Sequence, residues 1–121
     1  MPVEPLFHLL APGEWPATGE YAPASLAAEG FVHLSYAGQV AGTANRHYRD
    51  AAELVAVELD PARLDVEVRV EDSYASGTAY PHAYGPIPAD ATVAEHLLER
   101  GPDGDWTFIP SAGTGSGSAG R

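Results

Sequence analysis

The apolar run Leu6–Leu10, interrupted only by His8, predicts a first strand with Leu6, His8 and Leu10 on one face and Phe7 and Leu9 on the other. Apolar residues on both faces predict a strand covered on both sides, so His8 falls in largely buried surroundings. Pro12 and Gly13 end it, and Glu14–Ala17 reads as one short turn around Trp15. A brief helix, SLAAE, follows, with Ser25 as its N-cap and Gly30 as its stop. The stretch Gly30–Val40, GFVHLSYAGQV, predicts a short strand running straight into a helix. Val32 and Leu34 share its core face, while Phe31, His33 and Ser35 share the other. Ser35 stands at the N-cap of a main helix over Tyr36–Tyr48. Val40, Ala44 and Tyr48 face the core there, beside a polar stripe of Gln39, Thr43 and His47.

Glu53–Leu59 predicts a further strand, and DPARL a capped turn. Val66, Val68 and Val70 alternate with Glu67 and Arg69, giving a strand with one wet face. Glu71–Tyr84 reads as a long irregular connection, of the kind that often carries function in a small domain. Thr92–Leu98 and Trp106–Ile109 pair as a hairpin around GPDG, unless the first of them is helical. No internal repeat is visible. Together these elements predict a single α+β domain over residues 1–110, with mixed or antiparallel sheets and one main helix. Residues 111–121 have a Gly/Ser-rich linker composition and are expected to form a flexible tail.

Composition narrows the chemistry. A chain of 121 residues is large enough to bury a core without metal or disulfide support. It has no cysteine and no lysine, which excludes thiol nucleophiles, thiolate metal sites, Schiff-base catalysis and a phosphate-cradling P-loop lysine. A formal charge of -11 opposes nucleic acid, whose binding relies on Lys and Arg. No apolar run spans a membrane, and the N-terminus has no signal-peptide pattern, so a cytoplasmic protein is expected.

The histidines at 8, 33, 47, 82 and 96 include no HExxH pair, and no metal site is expected. His8 and His33 both lie mid-strand in apolar surroundings, and Ser35 is on the His33 face. Burying such groups costs stability unless they are paired, so the three are expected to line one cleft. Ser35 lacks the GxSxG elbow of a nucleophile and reads as a cap or a ligand-binding hydroxyl. Glu71, at a strand end, reads as a solvated carboxylate or as a base. His82, Tyr80 and Tyr84 sit among Pro81, Gly85 and Pro86, where the aromatics would form a lid or stack on a flat ring.

The runs FHLL, EWPATGEYAPASLAAEGFVHLS, GQVAGTANRHY and YPHAYGPI together resemble the bacterial family called domain of unknown function 952, over about Pro5 to Pro110. The resemblance implies an ADP-ribosyltransferase-like fold that clasps NAD between two small sheets. It would give His8 a ribose- or amide-binding role, with His33 and Ser35 on the second strand. Glu71 would be the third group, with His82 or Tyr84 as competitors. The chain has neither a clean His-Tyr-Glu signature nor a biglutamate motif. The expected function is therefore a small enzyme binding NAD or a related nucleotide. His33, Glu71 and His82 would be catalytic, and His8, Ser35, Gln39 and Tyr84 would hold the cofactor. One alternative is acid–base chemistry on another small metabolite, such as natural-product tailoring, in the same cleft without NAD. The other is a non-catalytic ligand-binding module.

Overall fold

In the computed structural model the described residues are 4–72, 75 and 77–108. Along the chain they form β1 (Leu6–Leu10), β2 (Glu20–Tyr21), α1 (Ala24–Glu29), β3 (Val32–His33) and β4 (Ser35–Tyr36). Then come α2 (Val40–His47), β5 (Val55–Leu59), β6 (Val68–Glu71), β7 (Tyr80–Ala83) and β8 (Ile87–Pro88), followed by β9 (Thr92–Leu97), β10 (Glu99–Arg100) and β11 (Trp106–Thr107). Short 3-10 turns precede α2, follow β5 and precede β9.

Two antiparallel sheets carry the fold. The first has the order β4-β1-β5-β9 and the second β3-β7-β6, with β2-β8 and β10-β11 as small ribbons. All five residues of β1 are buried, as its apolar faces predict. Leu6 and Leu10 enter a core with Val32, Leu34, Val57, Leu59, Ala83 and Ile87. Phe7 and Leu9 enter another with Val40, Ala44, Leu54, Ala56 and Trp106, beneath α2. At about 1.5–3 kcal/mol per fully buried large side chain, these two layers are the main favourable term.

The chain changes sheets at Leu34. His33 belongs to the second sheet and Ser35 to the first, while the Leu34 N–H donates to the Pro81 carbonyl. Gly30 ends α1 as expected, in the left-handed region at φ 88 that favours glycine. The Asp60 side chain accepts from the Ala62 N–H and caps the turn after β5.

Several expectations need correcting. Ser35 does not cap a helix, because β4 pairing with β1 holds the chain extended through Tyr36. A 3-10 turn at Ala37–Gln39 then leads into α2, whose N-cap is Gln39. Ser25 likewise lies inside α1, whose N-cap is Pro23. The 71–84 connection contains a strand, β7, which is the middle of the second sheet. β9 pairs with β5, and β11 pairs with β10, so the expected hairpin is divided between two partners. All pairings among the described strands are antiparallel, with no mixed sheet. Ile109 and the 111–121 tail lie outside the described residues. Among those described, no helix is long and apolar enough to cross a membrane.

The turn after β7 depends on a close approach. A Cβ placed on Gly85 would lie 2.5 Å from Val66 Cγ1 and 3.1 Å from Val66 Cβ. Valine is stiff at χ1 and cannot swing aside cheaply. Gly85→Ala is therefore expected to destabilise the protein by about 1–3 kcal/mol. Denaturant titration checks it; an unchanged midpoint would show that the turn relaxes freely.

Candidate functional site

His8 is buried, and both of its ring nitrogens are occupied from within. Its Nδ1 lies 2.8 Å from the His33 main-chain carbonyl and its Nε2 2.8 Å from the Tyr21 hydroxyl. A carbonyl only accepts, so Nδ1 carries the proton, Nε2 holds the lone pair, and Tyr21 donates to it. Burial is the main reason that His8 is pulled down to about 4 and Tyr21 pushed up to about 12. Trp15 stacks beside Tyr21, ring centroids 4.6 Å apart, and donates through Nε1 to the Thr92 hydroxyl. His8 is thus a neutral pin joining β1, β2 and β3.

Ser35 is also internal. It opposes Phe7 across the β1–β4 ladder, and its hydroxyl lies 3.3 Å from that of Thr43 on α2. Gln39 bridges the sheets: its Oε1 accepts from the Tyr36 N–H, and its Nε2 donates to the Ala79 carbonyl just before β7. His8, His33 and Ser35 therefore do not line one cleft. Val32 and Leu34 point into the core that His8 borders, so the His33 ring points away from it. The hydrogen bond from His8 to His33 goes to its main-chain carbonyl.

The outer face of the second sheet does gather four of the expected site residues: His33, Glu71, His82 and Tyr84. His33 and His82 are opposite one another in the β3–β7 ladder, with ring centroids 5.1 Å apart and edge to face. Phe31 stacks flat on His82 at 4.1 Å and closes off one side of that ring. Each imidazole faces a carboxylate. His33 Nε2 is 2.7 Å from Glu29 Oε1, and His82 Nδ1 is 3.1 Å from Glu71 Oε1. The Tyr84 hydroxyl donates to the same Glu71 oxygen at 2.6 Å.

The electrostatics follow from those contacts. The Tyr84 hydrogen bond, then that of His82, holds the Glu71 carboxyl below its ordinary range, so it is ionised at neutral pH. The same bond raises Tyr84, which stays a protonated donor. Arg69, gripped by both Glu67 oxygens, lies over the Tyr84 ring at 4.5 Å. His82 and Glu71 differ sharply in access: the ring is 2% exposed and the carboxylate 32%. His33, at 37%, is the more open imidazole. A carboxylate accepts only, so in each neutral ring the nitrogen facing it carries the proton.

Sequence reasoning missed Glu29, Arg69 and the stacking role of Phe31. Glu29 had a readable signal. It precedes the helix-ending Gly30, whose left-handed turn folds the chain so that residues four apart, Glu29 and His33, meet. Arg69 lies opposite His82 in the β6–β7 ladder. That register cannot be seen without knowing that β7 is a strand.

Nothing among the curated proteins matches the chain. Three solved structures, all of protein CC0527 from Caulobacter crescentus, are similar to it. The crystal structure is 27% identical, with a TM-score of 0.71, covering 85% of this chain and 93% of that one. A double mutant of that protein gives 26% and 0.70 over the same shares. The solution NMR structure gives 28% and 0.62, covering 84% of this chain and 90% of that one. A family model described as "Protein of unknown function (DUF952)" matches residues 10–95, most of the two-sheet core and all four residues of the outer-face cluster, and the chain belongs to that family.

Proposed function

We propose that the protein binds a small metabolite on the outer face of the second sheet and moves a proton there. One observation carries this reading: two imidazole–carboxylate pairs, His33–Glu29 and His82–Glu71, lie ring against ring in one ladder position. A sheet face needs no such concentration of ionisable groups for stability, and groups like these gather where proton transfer is used. His33, the more open ring, would exchange the proton with the ligand. Glu71 would orient His82 and balance the charge that develops, and Tyr84 would hold Glu71 ionised.

The nucleotide reading, an ADP-ribosyltransferase-like fold holding NAD, is the second proposal. Two antiparallel sheets around a shared core support it, as does the presence of Glu71 and Tyr84 in one cluster. The sugar and amide clamp implied for His8 and Ser35 does not fit, because both ring nitrogens of His8 are bonded internally and the buried Ser35 hydroxyl faces Thr43 on α2.

Titration calorimetry with NAD, ADP-ribose, AMP and small aliphatic and aromatic acids tests both readings. His33→Ala is expected to weaken the active ligand by about 1–3 kcal/mol. Glu71→Gln is expected to leave affinity nearly unchanged while lowering turnover at least about tenfold, since a group that balances developing charge acts on rate. Heat from a non-nucleotide acid alone would select the first reading, and heat from NAD or ADP-ribose the second. Equal affinity in wild type and His33→Ala would remove the outer face from both.

A further inference from the structure

We infer that this site takes an anionic ligand, its carboxylate or phosphate held by Arg46 and Tyr80 at the border between α2 and the second sheet. The inference rests on the small-molecule reading of the outer face and names the ligand class for it.

Arg46 lies seven residues after Gln39 and three after Thr43, so the three share one face of α2. That face meets the second sheet: Gln39 reaches the Ala79 carbonyl, and Arg46 Nη1 donates to the Tyr80 hydroxyl at 3.0 Å. The polar stripe expected from the sequence thus ends in Arg46 rather than His47. Tyr80 is opposite Glu71 in the β6–β7 ladder and two residues before His82 on the same face of β7. The spacing along a strand puts Tyr80 roughly 7 Å from His82, within the length of one small metabolite.

The donor inventory points to an anion. Every other arginine among the described residues is held by a carboxylate or by main-chain carbonyls. In a chain with seventeen acidic residues, Arg46 alone among them meets neither. Its partner is a neutral phenol that it approaches as donor, so the Tyr80 oxygen accepts and its own O–H remains to donate onward. No described residue accepts from that O–H. A guanidinium has five N–H groups; one is used on Tyr80, and the other four, with the phenol O–H beside them, face solvent as donors with no acceptor among the described residues, suited to the oxygens of a carboxylate or phosphate. The overall charge of -11 repels anions at long range, so the attraction is local and selects ligands that can reach this corner.

The test is an NMR titration that follows the Arg46 Nε–H and the His33 and His82 ring signals. Inorganic phosphate and benzoate serve as separate anionic probes, and benzamide as the uncharged match to benzoate. Saturable shifts of Arg46 are expected with one or both anions, and weaker or none with benzamide. Read from neighbouring amides, Arg46→Gln should weaken the anion at least about tenfold, as loss of a charged bidentate donor does. Tyr80→Phe should weaken it by a smaller factor. Arg49→Gln, which removes an arginine engaged by Asp105, should leave it within about twofold. Phosphate alone or benzoate alone would say which anion the corner takes. Equal affinity in wild type and Arg46→Gln, or benzamide binding as well as benzoate, would overturn the inference. In that second case, shifts at the His33 and His82 rings would leave the acid–base reading standing. Anion binding at Arg46 with no response in either ring to any probe would do the reverse.

Discussion

Acidifying the protein from pH 6.5 to pH 4 is expected to remove roughly 3 kcal/mol of folding stability through His8 alone. Burial lowers the folded-state value of His8 from 6.5 to about 4. Between those two values the unfolded chain binds a proton that the folded protein refuses. Stability therefore rises with pH across this window, is fully present above 6.5, and is spent by about pH 4. Protonation would force a second N–H against the Tyr21 hydroxyl, which now donates to that nitrogen. Glu71 adds loss in the same direction at lower pH, since its folded value is also depressed. Urea midpoints of wild type and His8→Gln from pH 4 to 8 check this. The variant should be less stable at pH 7 and lose much of the slope between 6.5 and 4. Parallel slopes in the two proteins would show that His8 does not carry the dependence.

Phe7→Ala is expected to cost about 3–5 kcal/mol, the usual range for deleting a fully buried aromatic ring. Phe7 is 1% exposed and sits in the core under α2. Phe108 packs edge-on against it at 5.2 Å, and His96, paired with Glu58, lies at 6.0 Å. Deletion would open a cavity beneath these rings and let water reach the His96–Glu58 pair. Against a typical total of about 5–15 kcal/mol, that is a large share. Phe7→Leu, which keeps most of the volume, should cost much less and stay folded. The His33 and His82 signals in that variant should match wild type, because Phe7 and the outer face belong to different layers. A loss below about 1 kcal/mol for Phe7→Ala would show that this core closes around the gap.

The elements that could be read from the chain are those whose burial is set locally. The apolar run Leu6–Leu10 announced a strand covered on both faces, and it announced a buried His8. The four-residue recurrence of Val40 and Ala44 gave the core face of α2. Gly30 marked the end of α1, because a residue that must take a positive φ is visible in the sequence. β7 was not legible, since Pro81 argues against a middle strand. It is tolerated because β3 pairs with β7 only through His82 and Ala83, so the missing N–H falls where that ladder has ended. A strand residue points its N and O to the same side, and the Pro81 oxygen there meets only the Leu34 N–H.

The sequence by itself determined the α+β class, the two-faced β1, the family and most of the polar groups of the outer face. Tertiary structure decided which of those groups meet. Side-chain period along GFVHLS put His33 and Ser35 on one local face, and that was correct as far as it went. The chain then leaves one sheet for the other between them, so one ring joins His82 while the hydroxyl joins Thr43. His8 was matched to His33 on residue type, yet its hydrogen bond goes to that residue's carbonyl. Alternation is a property of a few consecutive residues and survives without context. Strand register and the crossing between sheets depend on which distant segments pair, and no periodicity within GFVHLS or YPHA encodes that choice.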